Sequence, residues 1–192
     1  MNRIHWAYFG WRVMLLVAGM LITACAPWQP APSRVSAPHW SLEVPNGWMR
    51  LRTPEYEMFS KDGPYLQFIL IQTRSLDQPF RFTRQRLASD LLPHEAAQVI
   101  ISNLRSDPQI KNFTLVSNTP AALGAEIGFR LEYTYIDPQG VENRGIYYGV
   151  RMTDVFVNLQ YTAAKRYYFD KDAPAFEQVR QSVRLFSGTT PG

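Results

Sequence analysis

The chain has 192 residues, 46% of them hydrophobic, with 20 basic against 16 acidic side chains and one cysteine. Arg3 and Arg12 fall in an N-terminal segment without acids, so the rest carries 18 bases against 16 acids, a net charge near +2 despite a pI near 9.3. That balance makes no case for nucleic acid or anionic lipid as a charge-selected partner, and a single thiol excludes a disulfide framework.

The first element in chain order is a secretory signal. Arg3 and Arg12 give a positive start, and Val13 to Ile22 form an apolar run of about ten residues, within signal-peptide range and short of the roughly twenty that span a bilayer. Ile22-Thr23-Ala24-Cys25 follows at once, two small residues directly before the only cysteine. This segment resembles the lipobox of bacterial lipoproteins. The resemblance implies cleavage between Ala24 and Cys25, a diacylglyceryl group on the Cys25 thiol, and acylation of the new amino group. Residue 26 is Ala rather than the Asp of inner-membrane retention, which implies an outer-membrane address with the domain facing the periplasm. The alternatives are an ordinary cleaved signal with a fortuitous cysteine and an uncleaved signal-anchor.

Residues 1–24 are thus read as signal and 25–39 as lipidated Cys25 plus tether. Ala26 to Pro38 holds four prolines in thirteen residues, which favours extended polyproline chain and a reach of up to roughly 40 Å. Residues 40–186 form one domain, about 145 residues, enough to bury a core without staples. Residues 187–192 are a flexible tail.

Strand periodicity dominates the domain. Trp40, Leu42 and Val44 alternate before the turn Pro45-Asn46-Gly47, and Tyr65 to Thr73 reads as a central strand. Ile127, Phe129, Leu131, Tyr133 and Tyr135 alternate; Asp137-Pro138-Gln139-Gly140 is a turn; Ile146 to Met152 and Val155 to Tyr161 continue the period of two. These predict a three-stranded antiparallel meander. Two segments read as helical: Pro93 to Arg105, with Ala96, Ala97, Ile100, Ile101 and Leu104 on one face, and a segment opening at Asp172-Ala173-Pro174 with Phe176, Val179 and Val183 at helical spacing. The fold class is therefore α+β, an antiparallel sheet sandwiched by helices.

Leu42-Glu43-Val44-Pro45-Asn46-Gly47-Trp48, the meander, and the ending Tyr161-Thr162-Ala163-Ala164, Phe176, Ser182-Val183 resemble the PsbP-like α/β fold. Extrinsic photosystem II proteins, Ran-binding Mog proteins and many bacterial lipoproteins share it. The resemblance implies a domain that binds or assembles, and it carries over no functional residue.

Signatures of chemistry fail at identifiable positions. His94-Glu95-Ala96-Ala97-Gln98 has Gln where a zinc-protease helix needs its second His, and His39 is the only other histidine after residue 24, so no metal site is expected. No G-x-S-x-G or phosphate loop occurs; Gly140, Gly145 and Gly149 read as turn and strand glycines. No cofactor is expected. A carboxylate pair acting on cell wall or a small substrate, and an apolar pocket beneath the helices carrying a small ligand, stand as the alternatives to non-catalytic binding. Two surfaces are candidates for that binding. Lys165, Arg166, Tyr167 and Tyr168, with Phe169 and Tyr147-Tyr148, form an aromatic group edged by cations, suited to an envelope protein, or in part core, because Tyr148 shares the alternating face of Ile146 and Val150. Arg81, Arg84 and Arg86, near Arg74, form a basic cluster suited to lipid phosphate or an acidic partner, or simply a solvated helix face.

Overall fold

The computed structural model describes residues 27–187. Eleven strands and two helices fold in the order β1 (Trp28–Pro30), β2 (Arg34–Ala37), β3 (Trp40–Glu43), β4 (Met49–Arg52), β5 (Tyr56–Ser60), β6 (Gln67–Ser75), α1 (Pro93–Arg105), β7 (Lys111–Leu123), β8 (Glu126–Ile136), β9 (Glu142–Arg151), β10 (Val155–Ala164), α2 (Tyr168–Ser182) and β11 (Arg184–Leu185). Eight strands make one antiparallel sheet ordered β1-β4-β5-β6-β10-β9-β8-β7, and β11-β3-β2 make a small second sheet.

The meander forms as the alternation requires. β8, β9 and β10 are neighbours, and Gly140, at φ 83°, closes the β8–β9 turn by donating its N–H to the Asp137 carbonyl. β6 lies between β5 and β10, so its apolar run is central. Along β10, Phe156 joins one core cluster while Val157, Leu159 and Tyr161 join the other. The sheet thus separates two cores. One lies under α2 and the small sheet, around Trp40, Leu42, Phe59, Ile69, Tyr161 and Phe176. The other lies under α1 and the 76–92 loop, around Leu76, Phe80, Ile101, Phe129, Leu131 and Tyr133. α1 begins at Pro93, where a missing N–H costs nothing, and the Glu95 carboxylate accepts the Leu92 N–H at 2.8 Å.

The structure corrects the tether. Its described part is not an extended spacer: β1 pairs with β4, β2 pairs with β3, and Val35 is buried. Pro30 sits on an edge strand, where a missing donor breaks no ladder, so proline density did not preclude strands. The domain accordingly starts at β1 rather than at Trp40. Cys25, Ala24 and the signal lie outside the described residues, as does the tail after Ser187.

Two further differences concern helices. α2 begins at Tyr168, so Pro174 is inside it and the Asp170 carbonyl loses its usual amide; both residues are exposed, where water replaces that bond. Arg81, Arg84 and Arg86 lie in the irregular loop before α1, with Arg84 at φ 60°, so no helix face presents them. β7 was not legible. Register shifts at 111–114 and 115–117 break its alternation, and Pro120 is tolerated because β7 is an edge.

Candidate recognition edge

The segment Lys165 to Tyr168 links β10 to α2. Two backbone bonds fix its start: the Ala164 N–H donates to the Leu66 carbonyl and the Lys165 N–H to the Glu142 carbonyl, each at 2.9 Å. One side chain fixes its end. The buried Tyr161 hydroxyl lies 2.9 Å from the carbonyl oxygens of both Tyr168 and Phe169, and its ring stacks on Phe176 at 5.2 Å and packs tilted against Phe169 at 5.3 Å. Burial, with Asp172 and Asp170 nearby, pushes the Tyr161 phenol well above its ordinary range, so it stays a donor.

With Phe169 pulled into the core, the turn faces solvent. Lys165, Arg166 and Tyr167 are exposed, Tyr167 by 61%, and Tyr168 is half-buried with its ring edge-on to Tyr167 at 5.1 Å. Lys171 sits 5.8 Å from the Tyr167 ring and 5.3 Å from the Tyr168 ring and pairs with Asp62 of the β5–β6 turn. Lys165 Nζ reaches Glu142 at 2.6 Å. The β5–β6 turn brings in Tyr65, 84% exposed, although the apolar run from Tyr65 to Thr73 predicts it within the strand. The signal that could have found it is Asp62-Gly63-Pro64: Gly63 has φ 109°, so the turn continues through Tyr65 and β6 starts at Gln67. Tyr147 and Tyr148 do not join this edge. They are buried on opposite faces of β9, Tyr147 in the α1 core and Tyr148 in the α2 core.

Arg81, Arg84 and Arg86 are all exposed on the 76–92 loop. Arg74 stands apart from them in role: it is half-buried, its guanidinium lies 3.7 Å over the Phe80 ring, and it donates to the Gln78 and Pro79 carbonyls at 2.9 and 3.2 Å. It therefore anchors the base of the loop that presents the other three.

A cleft of about 540 Å³ opens between residues 33–34, residues 43–46 and Gln178, with Arg34 and Glu43 on its wall. A 240 Å³ cleft between the small sheet and β4–β6 contains His39, Glu55, Glu57 and Thr73. His39 Nδ1 and Thr73 Oγ1 are buried there without partners. Both oxygens of Glu57, however, accept from Arg50, and Arg52 lies 3.4 Å away, so this carboxylate is committed to an ion pair. Beneath α1 the cavity measures 60 Å³, room for about two waters, against the several hundred of a ligand pocket. His94 is exposed at the start of α1, and no group of three His, Cys, Asp or Glu among the described residues could hold a metal. No described helix is long and apolar enough to cross a membrane.

Known structures with this arrangement can be compared directly. Cyanobacterial PsbP from Synechocystis sp. PCC 6803 aligns with a TM-score of 0.56 and 14% identity, over 86% of this chain and 96% of that one. The fold is PsbP-like. The Ran-binding protein Mog1p of Saccharomyces cerevisiae aligns at 0.53 with 11% identity, over 82% and 96% of the two chains. A Pseudomonas aeruginosa protein of unknown function aligns at 0.53 with 15% identity, over 78% and 92%. At these identities the likeness is one of fold. No protein-family model and no curated protein matches the sequence.

Proposed function

We infer that the protein is a lipid-anchored envelope protein that works by binding, as a non-catalytic accessory or assembly module facing the periplasm from the outer membrane. One observation carries the binding part: Tyr65 and Tyr167 stand exposed on neighbouring turns at one end of the sheet, beside Arg166, Lys165 and Lys171, on a backbone locked by Tyr161. Rigid tyrosines flanked by cations supply contact area and stacking at low entropic cost. The anchor rests on the lipobox at Cys25 and the outer-membrane address on Ala26. Mog1p, a Ran-binding protein, is a precedent for this fold engaging a protein partner.

The test is the double substitution Arg166→Ala with Tyr167→Ala. An anchor aromatic or Arg contributes about 1 kcal/mol or more, so capture of the partner from detergent-solubilised membranes should fall about fivefold or further, with an unchanged melting temperature. Unchanged capture by a stably folded variant would refute the edge.

A further inference from the structure

Each helix covers part of one face of the large sheet, and the two uncovered corners differ in chemistry. On the α2 face, the corner over β8 and β9 is polar, with Glu132 bound by Arg130 and Arg144. The opposite corner lies on the α1 face. Phe156, in the α1 core, pairs directly with Arg74, so β6 residues 68, 70, 72 and 74 share that face while Ile69 and Ile71 point into the α2 core. Following the register outward from Leu70 gives Met58, then Leu51, then Trp28, one apolar row across four strands. Phe68 and Met49 extend it on the same face.

All six side chains are half-buried, and none packs against either core cluster. Inward, the row meets a polar seam: Gln160, opposite Leu70, donates to the Tyr133 hydroxyl at 2.9 Å and the Thr162 hydroxyl at 3.0 Å. An ordinary solvated sheet edge would place the polar groups outside and the apolar ones inside. Here the order is reversed, which marks a surface that meets something apolar.

The position of the patch in the chain says what. Trp28 belongs to it and follows Cys25 by three residues, a span of about 10 Å at most. An acylated Cys25 would hold β1 at the lipid headgroups, too close for a freely tethered domain. The exposed Arg81, Arg84 and Arg86 stand on the loop that covers the neighbouring part of the same face, with Asp77 and Asp90 at its ends and no acid between the arginines. An apolar centre beside cations is the arrangement of an interfacial membrane contact.

We propose that the uncovered apolar face of β1, β4, β5 and β6 docks on the membrane surface, with the 81–86 arginines against lipid phosphate. This rests on the acylation of Cys25 proposed above and adds an orientation: the domain lies on the bilayer. Because Met49, Met58 and Trp28 oxidise readily, hydroxyl-radical footprinting reads the contact in the full chain. The chain is reconstituted in phosphatidylethanolamine and phosphatidylglycerol vesicles, and the Cys25→Ser chain in solution serves as the water reference. Mass spectrometry of the N-terminal peptide reports acylation in the same sample.

The expected result is acylated Cys25 with oxidation of Met58 and Trp28 at least threefold slower on vesicles, and Tyr167 unchanged. Acylated Cys25 with Met58 as reactive as in solution overturns the docking and leaves the anchor standing. Unmodified Cys25 overturns the anchor; docking then stands only if the unmodified chain shows the same protection on vesicles, and falls if it does not. Protection that grows with concentration in the lipid-free Cys25→Ser chain assigns the face to a second copy and overturns the lipid contact.

Discussion

Replacing Gly149 with Ala puts one methyl group where two core rings already meet. A Cβ at residue 149 would lie 2.5 Å from Phe129 Cζ and 2.6 Å from Phe156 Cζ, about 1 Å inside ordinary carbon contact. Both rings are buried, 2% and 0% exposed, and stack on each other at 6.2 Å beneath α1 and its loop, so neither can move without displacing a neighbour. Overpacking of this kind costs about 1–3 kcal/mol, and the lower backbone entropy of Ala in a strand returns about 0.5–1. The net expectation is a loss of about 1–2 kcal/mol, or roughly 2–8 °C in Tm for a domain of this size. Gly128→Ala should be worse. Its Cβ would lie 2.0 Å from the Gly149 carbonyl oxygen, and backbone inside a sheet cannot swing away as a ring can. Gly140→Ala, with open space but φ 83°, should lose only the smaller cost of a left-handed alanine, about 1 kcal/mol. Urea titration followed by circular dichroism gives the ranking. A Gly149→Ala chain as stable as the parent would mean the rings are looser than the sheet register requires.

Tyr161→Phe removes the hydroxyl at the start of α2 and should cost about 1 kcal/mol, seen as a Tm fall of a few degrees with the α/β circular dichroism retained. Burial raises the Asp172 pKa, so ionisation weighs against the fold as pH rises from the unfolded value, about 3.9, through the folded one. Asp172→Asn should therefore raise Tm at pH 7, with the gain closing below about pH 4. Burial also pushes Glu132 up, but hydrogen bonds and charge from Arg144 and Arg130 outweigh it and leave the pKa lowered. Its contribution is present above the unfolded value and lost as pH falls through the folded one. Glu132→Gln should destabilise by about 1 kcal/mol at pH 7, less as the solution is acidified, and an unchanged gap at low pH would contradict the pairing.

The meander and α1 were legible because each keeps one period, with turn residues where the period stops. Phe129, Leu131 and Tyr133 alternate because β8 has a core on one side and a partly solvated face on the other. The strands at the edges were not legible. β1 and β2 are short and proline-flanked, and β7 carries bulges; β1 depends on a partner beyond the next two strands, Met49 to Arg52, while β2 and β7 pair with the strand that follows but lack a clean period of two. At the candidate site, sequence identified Lys165 to Tyr168 as aromatic and cationic, and the alternation of Ile146, Tyr148 and Val150 put Tyr148 on a core face; it did not place Tyr147. Position on a strand does not reveal that both faces are covered. The apolar row was hidden for the same reason: Trp28, Leu51, Met58 and Leu70 sit far apart in the chain and become neighbours only through register.

The central proposal is that the protein presents the Tyr167 edge to a partner from a fixed place at the membrane. A photo-crosslinking amino acid at position 167, in the full-length chain in intact envelopes, tests this most directly. A discrete adduct at 167 that is lost on Arg166→Ala, with none from exposed Gln178 on the outer side of α2, is the predicted result. Absence of any adduct at 167 in a chain that is folded and membrane-associated would contradict it.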